Sequence, residues 1–310
     1  MTAIGNATAV VDSSRLCPAQ FEATLPGRAG QVVRLFGDRL RIVDFYDEMG
    51  SAVYHELTRD DHSEVAELTR LLRRCDGAVL ELACGAGRLT LPLLAGGREV
   101  VAVDKSSRML ELLAERLAGP GGRRLAARLT MLLADMTQIA LGRKFGAIVL
   151  GTTSVSLLGA TERCELFKRV REHLADGGRF FMSNLEVSAP DQTQPVESVE
   201  VIVTSPAPGA NASRDGDGVQ ALCTLFEYVD WQRARRFVSV LRQTAVGDPL
   251  LATTSTCLIE TERLEAELQH CGLTVVDRWE VAGLHRIGAV THRTVLLEAR
   301  LSEPQRGEEV

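Results

Sequence analysis

Ala78-Val79-Leu80-Glu81-Leu82-Ala83-Cys84-Gly85-Ala86-Gly87-Arg88-Leu89-Thr90 is the stretch whose reading decides the fold. An apolar run that ends in an acid, bends through two closely spaced glycines and passes into helix-forming residues is a buried strand, a tight turn and a helix start. Glycines there let the backbone approach a ligand closely, and the first N–H groups of the helix have no internal partner. Glu81 offers a carboxylate to hydroxyls or an ammonium. The stretch suits a nucleotide-like ligand. Gly-x-Gly alone also fits an ordinary strand-to-helix turn, so the neighbouring strands must decide between the two.

Glu99-Val100-Val101-Ala102-Val103-Asp104 is a second apolar strand, its acid seventeen residues beyond Gly87. A ribose-binding carboxylate belongs at about that distance in a nucleotide-binding βαβ unit. Leu129 to Met136 forms a third strand ending at Asp135, and Phe145 to Gly151 a fourth. Three successive parallel strands with an acid at the carboxyl end place three acceptors along the crevice where open α/β sheets bind ligands.

On these residues the sequence resembles the class I S-adenosylmethionine-dependent methyltransferases. The resemblance rests on Glu81-x-x-x-Gly85-x-Gly87, Asp104-Lys105-Ser106-x-x-Met109-Leu110, Ala134-Asp135-Met136, and Asp176-Gly177-Gly178 before a fifth strand. It implies a doubly wound, seven-stranded, Rossmann-like α/β sheet that binds S-adenosylmethionine and releases S-adenosylhomocysteine. It also implies Glu81, Gly85 and Gly87 at the methionine end, Asp104 at the ribose hydroxyls, Asp135 with Met136 at the adenine, and Ala83, Lys105 and Gly151 in the rest of the cofactor set. Ala83 stands where many members carry a glycine. In a nicotinamide-dependent Rossmann enzyme Thr90 would occupy the place of a third small residue and Glu81 would have no role.

The chain has 310 residues, 45% hydrophobic and 25% charged, with a formal net charge of −6. That is a globular composition, long enough for one large domain with an insertion or for two small ones. No run of eighteen apolar residues exists, and the N-terminus lacks a basic region followed by an apolar core, so neither a membrane span nor a signal peptide is expected. The expected location is cytoplasmic. Seven cysteines scattered without paired spacing point to free thiols rather than disulfides or a zinc site. No strip dense in Lys or Arg suggests a nucleic-acid partner.

Along the chain, residues 1–59 read as an extension whose first thirty residues are rich in Ala, Gly, Ser and Thr and loosely ordered at the start. Gln31 to Phe36 and Arg39 to Val43 around Gly37-Asp38 suggest a β-hairpin, capping the substrate side or building a homodimer contact. Tyr46 and Tyr54, eight apart, fall on one face of a helix. Residues 60–185 are the cofactor-binding core, opened by an Asp61-His62-Ser63-Glu64 capping box. Residues 186–259 hold strand-like segments 198–203, 220–231, 236–243 and 252–259. They form an antiparallel layer inserted after strand five and roofing the substrate site. Ser205 to Gly218 within it is a mobile loop by composition. Residues 260–301 return as a helix and two strands joined by a loop with His285 and Arg286, and 302–310 are an acidic tail.

A sulfonium methyl is already activated, so transfer mainly requires a lone pair in line with the carbon–sulfur bond. The segment after strand four, Gly151-Thr152-Thr153-Ser154, has no carboxylate, and metal independence is expected. Catalytic candidates are His285, Glu186 and Tyr54, the last on a segment that in similar small-molecule methyltransferases folds over the cofactor. Glu227, Tyr228 and Asp191 lie on the same side. The layout also resembles natural-product methyltransferases, including sugar N,N-dimethyltransferases and those tailoring daptide-type ribosomal peptides. It implies methylation of a small amine or peptide amino terminus. O-methylation of a small metabolite and a noncatalytic cofactor-binding scaffold remain open alternatives.

Overall fold

Short, mostly apolar runs that alternate with helix-forming stretches fold as a parallel sheet with helices packed on its faces. A computed structural model of the protein describes residues 25–58, 63–119, 121–204, 221–245, 247–281, 285–287 and 289–303. Its core strands are β2 (Val79–Leu82), β3 (Val100–Asp104), β4 (Leu129–Leu133), β5 (Phe145–Leu150) and β6 (Leu174–Ser188), all parallel. β11 (Leu273–Glu280) and β13 (Val290–Leu301) return antiparallel, giving the seven-strand order β11-β13-β6-β5-β2-β3-β4, with β12 (His285–Ile287) paired to β13. Strand order reverses between β2 and β5, so their carboxyl ends open a crevice.

Helices cover both faces. α3 (Ser63–Leu72), α4 (Thr90–Ala95) and α5 (Ser107–Leu117) bury Leu68, Leu72, Leu93 and Leu113 on one face. α7 (Ala160–His173) and α8 (Thr261–His270) bury Leu166, Phe167, Leu264 and Leu268 on the other. A short α6 (Gly122–Ala126) leads into β4.

Inserted after β6 are β7 (Val196–Thr204), β8 (Ala221–Asp230), β9 (Arg235–Thr244) and β10 (Leu250–Cys257), a continuous antiparallel array. The N-terminal extension completes this second sheet, because β1 (Arg41–Asp44) pairs with β10 in parallel. The expected N-terminal β-hairpin is therefore overturned. Its first arm is a helix, α1 (Gly27–Phe36), and Gly37-Asp38-Arg39 forms a 3-10 turn. Ala29 and Val33, one turn apart, face Leu25, Leu40, Phe226, Leu241 and Leu251, and Gly37 at φ 53° ends the helix. On the opposite face of the same sheet, α2 (Gly50–Thr58) packs Val53 with Val43 and Phe45 against Cys223, Val238 and Val240.

Three smaller expectations change. Asp176-Gly177-Gly178 is a bulge inside β6, with Gly177 at φ 74°, because α7 passes straight into the strand. His285 and Arg286 lie in β12 rather than in a loop. Tyr46 precedes α2, so the two tyrosines do not share a helix face. The first 24 residues, Asp61-His62 of the capping box, the Ser205–Gly218 loop and residues 304–310 of the tail lie outside the described residues. Among those described, no helix is long and apolar enough to cross a membrane.

Candidate active site

The crevice at the strand-order reversal is a deep cavity. It is walled by the ends of β2, β3 and β5 and the loop after β4, and roofed by residues from α2 and α3. Its floor is the glycine turn. Ala83, Gly85 and Gly87 all take positive φ, at 52°, 55° and 80°. At Gly87 an added Cβ would sit 2.3 Å from Leu113 Cδ1, so glycine lets α5 close against the turn. At Gly85 the nearest atom to such a Cβ is Met109 Sδ at 4.0 Å, and the backbone N–H donates to Asp104 Oδ2 at 2.7 Å. Ala83 holds a left-handed conformation that costs an L-residue about 1–2 kcal/mol. Ala83→Gly should accordingly raise stability by up to ~1 kcal/mol, once glycine's greater unfolded freedom is subtracted, as read from the urea midpoint. A loss of stability would show that the Ala83 methyl is a needed contact.

Two acids meet at the strand ends. Glu81 is 3% exposed and accepts from Thr90 Oγ1 at 2.7 Å. Burial pushes its carboxyl up to about 8, against the opposing pull of the Thr90 bond. Asp104 is raised by burial too, opposed by N–H bonds from Ser106 (2.9 Å) and Gly85 and by Lys105. Carboxyls held above their usual range by desolvation gain most from an incoming cation. A ligand with an ammonium and vicinal hydroxyls fits this donor and acceptor set.

Along the same cavity lie Lys105, Asp135, Met136 and Gly151. Asp135 is fixed by Thr137, whose N–H and hydroxyl donate to Oδ1 at 2.8 and 2.6 Å. Cys84 is a buried filler whose thiol burial holds well above the ordinary range, in the unreactive form. Over the cavity, Tyr46 and Tyr54 bring their rings to 5.5 Å, and Ser106 Oγ donates to the Tyr46 carbonyl at 2.9 Å. The tyrosines meet through the turn before α2. Burial raises the Tyr46 phenol, so at neutral pH it stays protonated.

The catalytic candidates separate. Tyr54 lines the cavity. Glu186 accepts from Thr261 Oγ1 and from Arg293, directly opposite on β13, and does not line it. The His285 side chain lies outside the described residues; its backbone pairs with His292. The cavity residues not marked by the sequence include Glu64, Arg88 and Thr152, with His55 and Glu162. Arg88 adjoins Gly87 and carried a usable signal, whereas Glu64 meets Thr152 across 88 residues and carried none.

Residues 79–178 match the family described as a methyltransferase domain. Those residues of the chain form a methyltransferase domain. The chain shares its fold with the CcbJ methyltransferase from Streptomyces caelestis (TM-score 0.64, 19% identity, 84% of this chain and 99% of that one covered). The glycopeptide N-methyltransferase MtfA, solved with S-adenosylmethionine, is 25% identical at TM-score 0.55, covering 90% and 99%. CalS10, an amino pentose methyltransferase of calicheamicin biosynthesis from Micromonospora echinaspora, aligns at TM-score 0.54 and 20% identity, covering 80% and 97%. No curated protein matches the chain in sequence.

Proposed function

We propose that this methyltransferase moves the methyl group of S-adenosylmethionine to the nitrogen of a small amine or a peptide amino terminus in a natural-product pathway. The observation that carries the reading is the 25% identity to a glycopeptide N-methyltransferase over 90% of this chain. Glu81 and the N–H groups of the glycine turn hold the methionine end. Asp104 takes the ribose hydroxyls, and Asp135 with Met136 the adenine. The cofactor supplies a methyl group on positively charged sulfur, open to in-line displacement. Tyr46 and Tyr54 close that space from above. A neutral amine needs no firm base, and His55 and Glu162, both lining the cavity, are the acceptors for the proton that a charged amine sheds.

Calorimetry with S-adenosylhomocysteine, followed by transfer assays on parallel panels of amines and alcohols, tests this. Wild-type protein should bind the product and methylate amines. Asp104→Ala should weaken binding by about 1–3 kcal/mol, because it removes charge-assisted hydrogen bonds. Transfer to alcohols alone would replace the reading with O-methylation. Binding with no turnover on either panel would leave a scaffold.

A further inference from the structure

The loop that leaves β5 is strained where it meets the cavity. Thr152 and Thr153 stand at φ 56° and 54° in succession. Left-handed β-branched residues are outliers that cost about 1–3 kcal/mol each and persist only where their surroundings impose them. Two side chains impose them here. The Thr153 N–H donates to Ser183 Oγ at 2.9 Å, on a serine buried in β6. The Thr152 N–H donates to both oxygens of Glu64, at 2.8 and 3.0 Å.

Glu64 is 5% exposed on α3, and its second engagement is with Arg88. The Arg88 Nη2 donates to Glu64 Oε2 at 3.0 Å from the end of the glycine turn. Gly151 is what lets the carboxylate come so near, since a Cβ there would be 3.2 Å from Glu64 Oε1. One buried carboxylate therefore bridges Arg88, beside the methionine end of the cofactor site, and the Thr152–Thr153 turn. Glu64, Arg88, Gly151 and Thr152 all line the cavity. An arginine in that place presents planar donors to a ligand carboxylate while keeping Glu64 as a partner.

We infer that Glu64 is a positioning residue that ties the cofactor's carboxylate, received by Arg88, to the setting of the Thr152–Thr153 turn facing the methyl acceptor. This rests on the cofactor orientation proposed above. Once Arg88 is fixed by the ligand, Glu64 is fixed with it, and the strained turn is held in the geometry the acceptor meets. Cofactor binding thereby prepares the acceptor side.

Hydrogen exchange over residues 151–158, with and without S-adenosylhomocysteine, tests this in wild-type protein and in Glu64→Gln. The amide keeps an acceptor for the Thr152 N–H but loses the charge that engages Arg88. In wild type the ligand should slow exchange of the segment. In Glu64→Gln the ligand should bind about tenfold more weakly, a loss of ~1.4 kcal/mol, and at saturation slow exchange there little or not at all. Exchange of the β13 amides, paired to β6 away from the cavity, is the control for an intact fold. Equal slowing in both proteins, with equal affinity, would overturn the coupling. Failure of the wild type to bind S-adenosylhomocysteine would overturn the cofactor reading itself, and the coupling with it.

Discussion

Glu227→Ala is expected to destabilise the protein by about 3–5 kcal/mol, the cost of removing one partner from a buried ion cluster. Glu227 is wholly buried on β8 and its Oε1 accepts from Arg236 Nε, with His292 Nε2 2.6 Å from the same oxygen. Burial alone would raise its carboxyl, but the His292 bond and the Arg236 charge outweigh it and hold the group below the ordinary range. The location gives this cluster its weight. Glu227 and Arg236 belong to the insertion sheet and His292 to β13, so the three side chains form the seam between the inserted layer and the core. Truncation leaves a guanidinium that is only 18% exposed at that seam without the carboxylate that neutralises it. Glu227→Gln should lose less, because the amide oxygen still accepts one of the two bonds. Urea denaturation followed by both tryptophan fluorescence and far-ultraviolet dichroism reads the effect. If the alanine variant unfolds within about 1 kcal/mol of wild type, the seam is held by apolar packing and the ions are incidental.

That seam was not legible in the sequence, and the reason is general for this chain. β2, β3 and β5 are readable because strands buried on both faces are apolar at nearly every position, so that an acid such as Glu81 or Asp104 stands out. α5 is readable to the residue because Ser106 caps it and Met109, Leu113 and Leu117 repeat every four residues along its buried side. In both cases the information is local. Val32-Val33-Arg34-Leu35-Phe36 satisfies a strand pattern nearly as well as a helix pattern. What makes it α1 is the apolar face presented by Phe226, Leu241 and Leu251 some two hundred residues later. The acidic residues divide the same way. Glu81, Asp104 and Asp135 could be placed because each ends a strand at the crevice. Glu186, on the same reasoning, was an equally good candidate, and only its register opposite Arg293 draws it into an ion pair. Glu64 was invisible as a site residue because both its partners are distant in sequence.

Affinity for S-adenosylhomocysteine is expected to climb with pH from about 5 to 8 and then level off, while the stability of the ligand-free protein falls over a similar span. Both slopes come from Glu81. Its carboxyl titrates at about 8 in the folded protein, against an ordinary value of 4.5, chiefly because β2 buries it. Between those values the folded state holds a proton that the unfolded state has released. Stability is therefore greatest below the unfolded value and is lost as pH rises toward the folded one. Each unit of the gap corresponds to ~1.4 kcal/mol, and Asp104, also raised by burial, adds in the same direction. The ligand's ammonium reverses the balance, because a cation beside Glu81 favours the ionised form. Binding must then expel the proton, and full release makes affinity rise about tenfold per pH unit. Titrations in two buffers of different ionisation enthalpy count the released proton, and thermal melts of the free protein across the same pH range give the opposing slope. Glu81→Gln should flatten both curves together, since the amide neither titrates nor gains from the ammonium's charge. Were affinity constant between about pH 5.5 and 8 in the wild type, the ammonium would lie elsewhere, and the buried acid at the end of β2 would be held by Thr90 for the turn's sake alone.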